Sequence, residues 1–186
     1  DYNINKWISL GVNSSYALTK SDREDGSFSE FITRTPIAQI YNEDGSYSRY
    51  INSNNDVNPF YRAENYKREI STNSYRLNVF LELKPFKGFN YRLNTSFYNR
   101  EQEDGEAKGV NYPGGGATAK LTDREDRSYL IENIFTYNVP IKDQKHKLTI
   151  TAVQSVDHKQ TKQLGYATDQ LPVDMDWNFI ANGQFT

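Results

Sequence analysis

Side chains able to do chemistry are scattered through this 186-residue chain rather than gathered. The spacing puts His146 at a turn and His158 about a full strand away, so they form no local pair. Asp22-Arg23-Glu24-Asp25 and Asp123-Arg124-Glu125-Asp126 mix acid with arginine, as solvated loops do. Carboxylate-pair catalysis needs a defined separation between two carboxyl groups, and nothing in these runs sets one. Asp44-Gly45 lacks calcium ligands at EF-hand spacing. Asp174 and Asp176 form a lone D-x-D able to hold a cation. The expectation is a protein that is not an enzyme, with no catalytic or metal residues and no cofactor.

Composition narrows the class further. The formal net charge is -2, which gives no surface for nucleic acid. Cysteine is absent, which excludes disulfides and thiolate metal sites. No apolar run reaches the ~18 residues of a transmembrane helix. Asp1-Tyr2-Asn3 carries neither the basic nor the apolar region of a signal peptide, so an exported protein would be present here as a mature or excised chain. Mean hydropathy is -0.84 and 36% of residues are hydrophobic, a thin supply for a soluble core. A membrane barrel tolerates such figures, because only alternate strand residues touch lipid.

The elements that must carry the polar residues are strands. Between Ile70 and Tyr98, Tyr75, Leu77, Val79, Leu81 and Leu83 alternate with Arg76, Asn78, Phe80, Glu82 and Lys84. After Pro85-Phe86-Lys87-Gly88, Phe89, Tyr91, Leu93, Thr95 and Phe97 alternate with Asn90, Arg92, Asn94, Ser96 and Tyr98. A period of two puts one set on each face of a sheet. Similar alternation predicts a strand over Ile4–Thr19, interrupted at Lys6 and Ser14, another over Ser128–Val139 and a fifth from His146 to about Lys159. Long polar segments near 20–69, 99–127 and 160–186 read as loops. Within them Ser27-Phe28-Ser29-Glu30 fits a capping box and predicts a short helix ending before Pro36. Asp44-Gly45 predicts a tight turn between short extended arms, and Asn58-Pro59 another turn.

Alternation alone fits two architectures. A soluble β-sandwich, for instance a carbohydrate-binding module, hides the apolar face, whereas a membrane barrel turns it to lipid. The connections favour the barrel: they alternate long and short, as extracellular loops and periplasmic turns do. With the long loops on top, Tyr16, Tyr75, Phe97 and Tyr129 mark the upper end of the apolar face. Phe89, Tyr91 and Tyr137 mark the lower end, and aliphatic residues fill the middle. Two aromatic girdles around an aliphatic band suit a bilayer. The expected fold is all-β: about five long strands of an antiparallel up-and-down transmembrane barrel. Five strands cannot close, since the smallest such barrels have about eight. Arg76, Asn78, Glu82, Arg92, Asn94 and Glu132 would then face the lumen, with Arg76 and Arg92 as candidate substrate contacts. Tyr41, Tyr47, Tyr112 and Trp177 are loop aromatics able to stack on sugar rings or to pack loop against loop.

Several stretches carry a resemblance. Pro36 with Tyr41-Asn42-Glu43-Asp44-Gly45-Ser46-Tyr47, Asn58-Pro59, Thr72-Asn73-Ser74, Pro85-Phe86-Lys87-Gly88-Phe89, Glu132–Tyr137 and His146-Lys147-Leu148 resemble the SusC/RagA-type TonB-linked transporters of Gram-negative outer membranes. The resemblance runs from about Trp7 to His158. It implies part of a 22-stranded outer-membrane barrel without its plug domain or TonB box. It also implies import of an oligosaccharide or peptide, energised by TonB through the missing plug. A SusD-like surface lipoprotein would close the extracellular side, and the loop aromatics are equally placed to contact it.

Overall fold

The computed structural model of the chain describes residues 2–25, 38–52, 55–141, 146–171 and 176–185. Seven strands run in chain order: β1 (Tyr2–Asn5), β2 (Ile8–Asp22), β3 (Tyr66–Leu83), β4 (Phe89–Lys108), β5 (Thr118–Val139), β6 (Leu148–Asp169) and β7 (Gln184–Phe185). They form one sheet in which each strand lies beside its sequence neighbour, and both terminal pairs are antiparallel. The fold is all-β, up-and-down and unclosed. A sandwich needs a second sheet over the first; the described strands make one sheet, so the sandwich alternative is set aside. The helical elements are short: α1 (Pro59–Glu64) and a 3-10 segment, Trp177–Asn182.

Strand boundaries differ from the sequence expectation. Ile4 and Ile8 do not share a strand, because the chain reverses at Lys6–Trp7 and pairs Tyr2 with Leu10. The Asn5 side chain accepts from the Trp7 N–H at 2.8 Å, a local bond that competes with extended pairing. Further on, β3, β4, β5 and β6 reach 18, 20, 22 and 22 residues. Of the segments expected as loops near 99–127 and 160–186, residues 99–108, 118–127 and 160–169 are therefore strand. Their side chains show no apolar period, but backbone pairing needs none.

The chain divides into two compact units. The first comprises Asp1–Leu18, Asn73–Glu101 and Arg124–Lys162. Its apolar face follows the expected parity. Tyr75 lies against Phe97, Tyr91 against Phe135 and Tyr129 against His158, at centroid separations of 6.3, 4.9 and 5.2 Å. Asn133 interrupts that face without leaving its amide unsatisfied. It accepts from the Tyr91 hydroxyl and donates to Gln154, both at 2.6 Å. The aliphatic rows lie open: Val12 is 60% exposed and Ile150 55%. The turn from β3 to β4 closes on a Phe89 N–H to Phe86 carbonyl bond, with Gly88 at φ +87. Only glycine fits there, since a Cβ would sit 2.6 Å from the Asn138 carbonyl oxygen.

The second unit comprises Thr19–Thr72, Gln102–Asp123 and Gln163–Thr186. Ala107, Ala117, Ala119, Leu171 and Trp177 form its buried cluster. Arg68 on β3 grips Asp104 on β4 with two bonds of 2.9 and 2.7 Å. That hydrogen-bonded guanidinium holds the Asp104 carboxyl below its ordinary range. The Asp44-Gly45 turn forms as expected, with Tyr41 bridged to Tyr47 and Gly45 at φ +84. Asn58-Pro59 is a helix start rather than a simple turn. Asn58 caps α1 by accepting from Phe60 N–H, and proline occupies the first turn. The helix expected after Ser27 lies outside the described residues, as do Pro36 and Asp174.

Candidate functional site

The polar face of the first unit is a lattice of cross-strand contacts. Ser96 donates to Asn78 at 2.8 Å, and Asn90 donates to Glu82 at 2.9 Å. Arg92 donates to Asn94 at 2.9 Å, and Asn94 reaches Glu132 at 3.5 Å. The Arg92 guanidinium also lies 4.2 Å from the Phe80 ring centroid. Arg92 is thus held by its neighbours. Arg76 lies over the Tyr98 ring at 5.1 Å and forms no ion pair among the described residues. The alternation expected for Arg76, Asn78, Glu82, Arg92, Asn94 and Glu132 is what brings this lattice together on one face.

The loop aromatics of the second unit separate into three situations. Tyr41 stacks on Tyr47 at 5.2 Å, and Tyr47 stacks on Phe60 at 5.5 Å. Tyr41 is 57% exposed, so one end of this three-ring stack is open. The neighbouring Tyr41 phenol pushes the Tyr47 hydroxyl above its ordinary pKa. Sequence reading missed Phe60. Its signal was Asn58-Pro59, a cap and first-turn pair that starts a helix and swings Phe60 toward Tyr47.

Tyr112 packs loop to loop. Its hydroxyl donates to the Asp25 carboxylate, Tyr66 tilts against its ring at 6.3 Å, and the Lys108 ammonium lies over it at 5.0 Å. Burial and that hydrogen bond push its pKa up to about 12.

Trp177 is 5% exposed and packs into the buried cluster, the second of the roles the sequence leaves open for it. It lies flat where Gly105 leaves room, with the Lys67 ammonium 4.9 Å from its ring. Asp176 caps the 3-10 segment by accepting from Asn178 and binds Lys67 at 3.0 Å. Burial would raise the Asp176 carboxyl, but the Lys67 and Asn178 bonds outweigh it and lower its pKa. The carboxylate thus serves as a cap and ion-pair partner. No trio of histidine, aspartate or glutamate able to hold a metal occurs among the described residues.

No protein-family model matches this chain. No curated protein matches it either. Among solved structures, it is similar to that of the RagAB peptide transporter, with 14% identity and a TM-score of 0.61. The match covers 89% of this chain and 24% of that one, so this chain spans about a quarter of its neighbour's length. At that identity the likeness is one of fold: nearly the whole strand path described above follows a stretch of a transporter chain.

Proposed function

We propose that this chain forms wall strands and loops of a SusC/RagA-type, TonB-dependent importer in the outer membrane. The observation that carries the reading is the first unit's two-faced sheet. One face is an uncovered aliphatic band with aromatic residues at its ends; the other is a hydrogen-bonded polar lattice. Lipid on one side and a wet lumen on the other account for both faces. The fold likeness to the RagAB peptide transporter supports the same reading.

The cargo is an oligopeptide or an oligosaccharide, and the likeness to a peptide transporter favours the peptide. Arg76, cradled by Tyr98, is the lumen-facing cation placed to meet a cargo carboxylate. The Tyr41–Tyr47–Phe60 stack is the loop surface for cargo or for a SusD-like lipoprotein. TonB acts through a plug supplied elsewhere in the parent protein. The chain performs no chemistry itself and needs no cofactor.

The test follows labelled oligopeptides and oligosaccharides into cells making the full-length protein, with and without TonB. Uptake should vanish without TonB. Arg76→Ala should lower uptake of a carboxylate-bearing cargo severalfold at an unchanged outer-membrane level. Recovery of the protein in the soluble fraction, or uptake indifferent to TonB, would overturn the proposal.

A further inference from the structure

The lower end of the apolar face, where the Lys6–Trp7 and Pro85–Gly88 turns lie, is not a flat girdle. A groove of about 530 Å³ is lined by Trp7, Ile8, Leu83, Pro85, Phe89 and Phe135. A second hollow, of about 440 Å³, shares Trp7 and Phe89 with it. That hollow turns round the strand ends: Lys6 and Lys87 of the turns border it, with Phe86 beside them and Lys84, Asn90 and Asn138 reaching it from the polar face. Lys84 is partly neutralised, since its ammonium lies 3.3 Å from Glu82. Lys6 and Lys87 are exposed and have no acidic partner among the described residues. The Lys6 ammonium lies 5.0 Å from the Trp7 ring, at the junction of the two hollows.

An apolar slot continuous with a cationic rim is the shape of an amphiphile that carries negative charge at one end. Lysine stems lie along apolar surface while their ammonium groups reach the headgroup layer. Basic pockets at a membrane surface hold anionic lipid headgroups. On the outer-membrane reading, short turns face the periplasm, so the adjoining leaflet consists of phospholipid. We infer that this face binds an anionic phospholipid, its acyl chain lying in the groove and its phosphate between Lys6 and Lys87. This inference rests on the membrane reading but not on the identity of the transported cargo. A zwitterionic lipid would fill the groove equally well but would gain less at the rim, so the site predicts headgroup selectivity.

The experiment uses the full-length protein in nanodiscs of phosphatidylcholine, with phosphatidylglycerol added in increasing fraction. Lipids retained after transfer to detergent are counted by native mass spectrometry. Wild type should retain phosphatidylglycerol about thirtyfold over its share of the bilayer, as two lysines at a surface would give. Lys6→Gln with Lys87→Gln should abolish the preference while leaving heat-modifiable mobility, and so the folded barrel, unchanged. Equal retention of both lipids by wild type would overturn the inference, leaving an ordinary aromatic girdle. So would a double variant that keeps the preference. Failure to insert into pure phosphatidylcholine would overturn the membrane reading instead, an outcome distinct from loss of selectivity.

Discussion

Gly105 shows how one missing methyl organises a segment. A Cβ there would lie 2.2 Å from the Trp177 indole, well inside contact distance. The glycine lets the ring lie flat on β4 beside Ala107 and Ala119, and the cap at Asp176 holds the backbone that delivers it. Overpacking of this kind costs about 1–3 kcal/mol. Gly105→Ala should therefore expel the indole, and hydrogen exchange across residues 177–182 should accelerate to the rate seen in Trp177→Ala. Unchanged exchange in that segment would show that the indole has another seat. The position of Trp177 was not legible in the sequence, because its partner is a glycine many residues away with no pattern to announce it. Arg76 and Arg92 were legible in placement, since parity along β3 and β4 assigns their face. That Arg92 is engaged with Phe80 and Asn94 while Arg76 lies over Tyr98 with no ion pair among the described residues needed the register between strands.

Among the elements, α1 and its preceding loop depend on Asn58, which is fully buried. Its backbone N–H donates to Arg49, its side-chain amide donates to Ile40 at 2.9 Å, and its side-chain oxygen accepts from Phe60 at 3.0 Å. One residue thereby joins the Tyr41–Tyr47 arms to the helix that carries Phe60. Asn58→Ala removes the cap and the side-chain bond to the Ile40 carbonyl, which keeps its bond from the Ser48 N–H, for about 0.5–2 kcal/mol. Exchange across residues 38–52 should quicken. Asn58→Asp keeps an acceptor for Phe60 but sets a carboxylate against the Ile40 carbonyl in place of a donor, so it should not restore protection. Protection of 38–52 unaffected by either change would show that other contacts hold the loop. The central hairpin was legible because apolar and polar residues alternate from Tyr75 to Leu83 with a single break, at Phe80. The upward extensions of β4, β5 and β6 were not, because Glu101, Glu103, Asp104 and Glu106 read as a solvated loop. Charge on both faces erases the period-two signal, while the backbone bonds that make the strand carry no sequence mark.

For the whole molecule the decisive property is what covers the aliphatic rows of the first unit. Nothing among the described residues does, and β1 and β7 stand at the two ends of the strand order. A water-soluble sheet with such a face would be an aggregation hazard. A bilayer removes the hazard and adds a depth scale that no protein core reproduces. On the lipid face, arginine costs about 2–4 kcal/mol at the midplane and about 0–1 near the interfaces. Val79 lies midway between Tyr75 and Leu83 on the apolar side of β3, Tyr75 lies at the aromatic end, and Asn78 faces the polar lattice. In vesicle-embedded full-length protein, Val79→Arg should destabilise by about 2–4 kcal/mol. Tyr75→Arg should show a much smaller lipid-exposure penalty, about 0–1 kcal/mol. Asn78→Arg, one residue from Val79, should escape the lipid penalty because it points the other way. Urea titrations read by gel mobility would rank the three. If the face were instead packed in a protein interior, Tyr75→Arg would cost as much as Val79→Arg, since a core penalises charge wherever it is buried. A gradient along β3 with a reversal between neighbours therefore requires a membrane on one side of this sheet and water on the other.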